Sequence, residues 1–203
     1  MSRFDALNSR TLLVVALAML PAAARAEVLN YDYVYLSKEG AASGRDGNDG
    51  NGTAGGFKSF GEHTHVFLSY DDTAFYAGNN ENWDYDLKTW RIGAGGHYLV
   101  GERTMIAPAF AVFRSRGEVL APSWMAPRKL QGTGTILEVD LRHAVTHWLE
   151  LVASARRTRF EDASWTELVG GVLFHPNDRW AVGALYHDRD DARSTEFTLR
   201  YYY

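Results

Sequence analysis

The chain has 203 residues, no cysteine and a formal net charge of −4. The missing cysteine excludes a disulfide, a thiolate metal site and a lipid-anchored N-terminal cysteine, and the slightly acidic balance, with no basic stripe, argues against nucleic acid as a partner. Beyond the N-terminal leader no segment reaches the roughly 18 apolar residues that a membrane-crossing helix needs, so a helical membrane protein is excluded.

In chain order, Arg3 and Arg10 precede an apolar run from Leu12 to Leu20, followed by Ala24, Arg25 and Ala26. That pattern reads as a secretory signal peptide, residues 1–26, cleaved after Ala26. Residues 27–203 then form one domain. An exported domain without disulfides needs another source of stability, and a closed, fully hydrogen-bonded barrel supplies one. Strands are expected at about 28–37, 54–61, 65–76, 84–99, 104–118, 132–145, 148–160, 164–175, 180–188 and 195–203. The stretch 54–61 alternates least, and without it and a neighbour the count falls from ten to eight. Pro108 has no N–H for a strand ladder, so a bulge is expected there. Polar turns recur at Gly61–Thr64, Gly101–Thr104, Thr146–His147 and Pro176–Arg179, each followed by an apolar-rich segment. The opposite connections, 38–56, 77–84, 119–132, 161–164 and 188–194, are longer or more polar. Short turns at one end and longer loops at the other are the asymmetry of outer-membrane barrels.

Alternation assigns faces. Leu137, Val139 and Leu141 oppose Glu138, Asp140 and Arg142; Trp90, Ile92, Ala94 and Tyr98 oppose Arg91, Gly93, Gly95 and His97. Near the start, Tyr31, Tyr33 and Tyr35 oppose Asn30, Asp32 and Val34, and Asp32 is assigned to the lumen. A soluble barrel or sandwich also alternates, with the faces inverted. The aromatics near turns (Tyr98, Trp148, Phe174, Trp180) and the final strand favour a membrane girdle. In that strand Phe197, Leu199, Tyr201 and Tyr203 share one face, opposite Glu196, Thr198, Arg200 and Tyr202.

With its tyrosine-rich first strand, Gly/Asp-rich first loop, repeated hairpins and aromatic last strand, the chain resembles the small porin-like outer-membrane β-barrels of Gram-negative bacteria. The resemblance spans residues 27–203. It implies an all-β, antiparallel up-and-down transmembrane barrel in the cell outer membrane, in contact with outer-membrane lipid and monomeric. It also implies insertion by the barrel assembly machinery, with Phe197, Leu199, Tyr201 and Tyr203 as the assembly signal. It does not imply one function, because such barrels serve many.

The candidate site is the lumen. Asp32, Arg91, Glu138, Asp140, Arg142, Glu150, Arg156, Glu167, Glu196 and Arg200 are read as its charged lining. Unpaired buried charge is costly and a network is tolerated, so the first expectation is a structural or loop-displaying barrel with a largely plugged polar lumen. A narrow channel for ions or small solutes is the alternative, and an outer-membrane enzyme the outlier. Asp71, Asp72, His187 and Asp188 lie near strand tops, but no nucleophile–base pair is visible. The loop acids Asp46, Asn48 and Asp49 miss the EF-hand pattern, since Gly50, Asn51 and Phe57 occupy its fifth, sixth and twelfth positions. The histidines show no ligand spacing for a metal, and no cofactor is expected. In the loop 119–132, Trp124 and Met125 form an apolar tip that meets a partner or folds over the barrel mouth.

Overall fold

A computed structural model describes residues 29–40, 51–77, 83–120, 128–189 and 192–203. The expected signal peptide, the loop residues Asp46, Asn48 and Asp49, and the Trp124–Met125 tip lie outside the described residues. The strand segments are β1 (Tyr33–Gly40), β2 (Asn51–Phe60), β3 (Thr64–Ala77), β4 (Trp83–Gly96), β5 (Tyr98–Leu99), β6 (Thr104–Leu120), β7 (Arg128–Ala144), β8 (Leu149–Phe160), β9 (Ala163–Asn177), β10 (Trp180–Arg189) and β11 (Ala192–Tyr202).

All pairings are antiparallel, and β1 closes on β11 from Tyr33 opposite Tyr202 to Gly40 opposite Thr195. β4 and β5 keep one register along β6, with Gly95 opposite Ala109 and Tyr98 opposite Ile106. They are therefore one wall strand, and the eleven segments make a closed barrel of ten strands. β2 is a full member that pairs with both β1 and β3.

The bulge expected at Pro108 is absent. β6 runs past it in register with β7, Ala107 opposite Asp140 and Ala109 opposite Glu138. The missing donor is felt on the other side, where the wall strand breaks at His97 between β4 and β5. A register shift occurs instead at the start of β10, between Trp180 and Val182.

Two of the short turns contain a glycine in the left-handed region, Gly61 at φ 71° and Gly101 at φ 81°, a conformation that glycine adopts without penalty. The opposite connections are shorter than the sequence implied. β1 runs on to Gly40, β2 begins at Asn51, and β7 begins at Arg128, so 38–56 and 119–132 shrink to 41–50 and 121–127. On that side β3 outruns β2 by Thr73–Ala77, and β7 outruns β8 by Arg128–Thr133. A sheet of β3, β4, β6 and β7 thus projects about 15–20 Å of strand beyond its neighbours.

The faces separate the membrane reading from the soluble one. Phe197 is 63% exposed and Leu137 59%, with Leu36, Ile92, Phe110 and Leu168 beside them in exposure, while Arg142, Glu150 and Glu167 are buried inside. A soluble barrel reverses this arrangement, and exposed apolar surface on this scale requires a cover; here that cover is hydrocarbon. Toward the loop end the outward side chains turn polar, as at Lys88, Arg114, Arg157 and Asp188. Toward the turn end aromatic pairs gather, Trp148 with Phe174 (ring centroids 5.9 Å) and Trp180 with Tyr201 (4.9 Å), as an interfacial belt does.

Candidate functional site: a layered lumen

The turn end of the lumen is filled by rings. Tyr31 stacks on His97 at 5.2 Å and lies 4.4 Å from His65. Phe57 stacks on Phe67 at 4.9 Å and on Tyr33 at 4.8 Å, and Tyr33 meets Tyr202 at 5.3 Å. Met105 and Ala107 close the cluster from β6. Tyr31, Tyr33 and Tyr35 therefore point inward, against the expectation for the first strand. The register explains it: Tyr33 is held between Phe57 and Tyr202, both of which face the lumen. Val34 and Leu36 take the opposite face of β1, where Leu36 is exposed and Val34 is covered.

Asp32 moves to the other face with them and is not a lumen residue. It accepts from the Lys58 ammonium at 2.6 Å and from the Ser59 backbone N–H at 2.5 Å. Tyr203 sits beside this pair, its ring 5.0 Å from the Lys58 nitrogen.

Beside the rings, at the same turn end, Arg142 forms a bidentate pair with Glu150, including an Nη2–Oε2 bond of 3.0 Å. Arg142 also donates to the Asn30 carbonyl at 2.9 Å and to the Tyr202 hydroxyl at 3.3 Å. Glu150 in turn contacts His175 Nε2 at 3.1 Å. Arg200 lies 4.9 Å over the Tyr33 ring. A second cluster centres on Arg156, which bridges Glu138 at 2.8 Å and Glu167 at 2.9 Å. Glu167 also meets His187 Nδ1 at 3.2 Å and accepts from Arg189 at 2.9 Å. His187 Nε2 lies 3.1 Å from Glu196. Asp140 accepts from the Tyr31 hydroxyl at 3.3 Å, and Arg91 lies 3.6 Å from Asp71.

Glu138, Asp140 and Arg142 follow one another on one face of β7; Glu138 and Asp140 share a hydrogen bond, while Arg142 turns to other partners. Glu138 and Arg142 both pair with β8, through Arg156 and Glu150, and Asp140 meets Tyr31, because cross-strand neighbours stand about 5 Å apart, closer than the about 7 Å between same-face neighbours along a strand. Sequence reasoning missed Glu39, Asp71, His175, His187 and Arg189 as partners. Inward parity alone would have flagged most of them.

The charged layer holds a void of about 120 Å³. Beyond it, toward the loops, a vestibule of about 350 Å³ opens. One wall is apolar, with Phe113 stacked on Phe160 at 5.6 Å and Trp165 nearby. The opposite wall is polar: Asn51 donates to Glu39 at 2.7 Å, Ser194 donates to the same carboxylate, and Thr53 donates to Asp71 at 2.8 Å. The four strand-top residues weighed for catalysis do not converge. Asp71 and His187 face inward, whereas Asp72 and Asp188 face out. Among the described residues no cluster of three His, Asp or Glu side chains is arranged to hold a metal ion.

Charge kept inside and hydrocarbon outside, on ten closed strands, defines the class: the chain has the fold of a small outer-membrane β-barrel and resides in that membrane. The translocator domain of the autotransporter NalP from Neisseria meningitidis matches it over 96% of this chain and 94% of that one, at 11% identity and a TM-score of 0.51. The β-domain of the Bordetella autotransporter BrkA matches over 85% and 99%, at 11% identity and a TM-score of 0.53. A KdgM porin matches over 84% and 99%, at 8% identity and a TM-score of 0.49. No protein-family model matches the sequence, and no curated protein does. Identities this low establish the fold and leave activity open.

Proposed function

We propose that the protein is a non-conducting wall element of the outer membrane, which holds its rim and loop-end vestibule toward the outside. The ring cluster of Tyr31, Tyr33, Phe57, His65, His97 and Tyr202 carries this reading, because together with the Arg142–Glu150 pair it fills the turn end of the lumen below the Arg156 cluster. Ten strands lie near the narrow end of the barrel range, where side chains can occupy the whole interior. The charge clusters then act structurally, each cation held by named acceptors. No catalytic role is assigned. The barrel works as a monomer, and the outward Phe197, Leu199, Tyr201 and Tyr203 serve the assembly machinery.

A narrow ion passage is the second reading, supported by the void of about 120 Å³ among the charged side chains. Ion efflux from lipid vesicles tests the two. Wild-type protein is expected to leak no faster than empty vesicles, and a Tyr31→Ala/Phe57→Ala variant to leak faster. Efflux through the wild type at the rate of the opened variant would overturn the proposal.

A further inference from the structure

A groove of about 660 Å³ runs down the outer wall across β4, β6, β7 and β8. Its floor is low because β7 places only Thr133 and Thr135 outward there, between the bulkier Trp90, Ile92 and Val112 on one side and Arg159 on the other. The register sets Val112, Thr135 and Arg159 in one row, with Arg114 opposite Thr133 in the next. The lower part of the groove is therefore apolar, and its loop-side end carries two guanidinium groups, from Arg114 and Arg159.

Three nearby cations are partnered. Arg157 donates to Thr166 and Ser164 at 2.7 and 2.8 Å, Lys88 lies 3.6 Å from Asp86, and Arg193 lies 3.3 Å from Asp188. Arg114 and Arg159 have no ion pair or hydrogen bond among the described residues, although Glu161 also lines the groove. Their backbones are two strands and two residues apart, about 12 Å. Side chains of that length can converge on one anion between them. Guanidinium forks match phosphate oxygens in a bidentate manner.

The groove opens onto hydrocarbon, at the end of the wall where the longer connections mark the outer leaflet. Only a molecule with acyl chains reaches it. We propose that it binds a phosphate-bearing lipid of the outer leaflet, with an acyl chain along Trp90, Ile92 and Val112 and the phosphate between Arg114 and Arg159. The site would make this wall a fixed point for a lipid rather than a uniformly wetted surface.

Native mass spectrometry of the refolded barrel in detergent, titrated with diphosphoryl lipid A and with its dephosphorylated form, tests this. One lipid per barrel is expected, with at least a tenfold preference for the phosphorylated form. Arg114→Gln/Arg159→Gln should lower that preference at least fivefold, with circular dichroism and heat unfolding unchanged. Arg103→Gln/Arg179→Gln, at the turn end, should keep it. Equal binding of the two lipids, equal preference in the groove variant, or loss of preference in the turn-end variant would each overturn the proposal. If the groove variant does not fold, Thr135→Trp fills the groove with both arginines in place. It is expected to release the lipid, and unchanged binding would count against the site.

Discussion

Arg142→Ala is expected to destabilise the barrel by about 3–5 kcal/mol, the cost of leaving one partner of a buried ion pair alone. The side chains of Arg142 and Glu150 are 3% and 0% exposed, so water replaces little of what is lost. The substitution removes both bonds to Glu150, leaving that carboxylate with His175, and it also strips a donor from the Asn30 carbonyl and from the Tyr202 hydroxyl. The double variant Arg142→Met/Glu150→Leu should lie within about 1 kcal/mol of wild type, because apolar side chains of similar volume replace both charges. Equilibrium urea unfolding in phospholipid vesicles, followed by tryptophan fluorescence, measures all three proteins together with Glu150→Leu. A loss below about 1 kcal/mol for Arg142→Ala, the value of a solvent-exposed pair, would refute the reasoning. So would a double variant as unstable as the two single changes added together.

Three further outcomes follow from the faces and the packing. Leu137→Arg, on the lipid face, should lower stability by about 2–4 kcal/mol, whereas Lys129→Glu, higher on the same face of β7, should change it by no more than about 0.5 kcal/mol; similar losses in both would contradict the apolar boundary. At Gly93 an added Cβ would meet the Phe67 ring and would lie 2.7 Å from the Phe110 carbonyl oxygen, so Gly93→Val should cost about 1–3 kcal/mol by overpacking, read by the same unfolding measurement. Phe197→Ser/Tyr201→Ser should reduce the folded barrel recovered from cells several-fold while leaving spontaneous refolding into vesicles intact, since both side chains face outward; equal losses in both assays would assign them to stability rather than assembly.

The barrel was legible where one face of a strand is plainly apolar and the other plainly charged. On β7, Leu137, Val139 and Leu141 against Glu138, Asp140 and Arg142 fix which residues share a face, and the Gly61 and Gly101 turns mark where strands reverse. β1 was illegible for the opposite reason. Tyrosine suits either an interfacial belt or a packed lumen, so the strand containing Tyr31, Tyr33 and Tyr35 reads equally well both ways round. Only its pairing with Phe57 and Tyr202 decides, and that is non-local information. The same holds for the charge partners: alternation places Arg142 and Glu138 inward, but which carboxylate each cation meets depends on strand stagger. Asp32 shows the cost of a single parity error, since one reversed strand carries its acid to the outward face at the turn end, beside Lys58. Pro108 shows a local signal with a displaced consequence, its missing N–H breaking the neighbouring strand rather than its own.

The account rests on a lumen closed by side chains, and single-channel current across a planar bilayer measures that directly. Folded, inserted protein is expected to give no discrete conductance steps above the bare membrane, while Tyr31→Ala/Phe57→Ala gives them. Discrete, salt-dependent steps from the wild-type barrel would contradict the closed lumen and make the charged layer of Arg91, Glu138, Arg156 and Arg200 the lining of a pore.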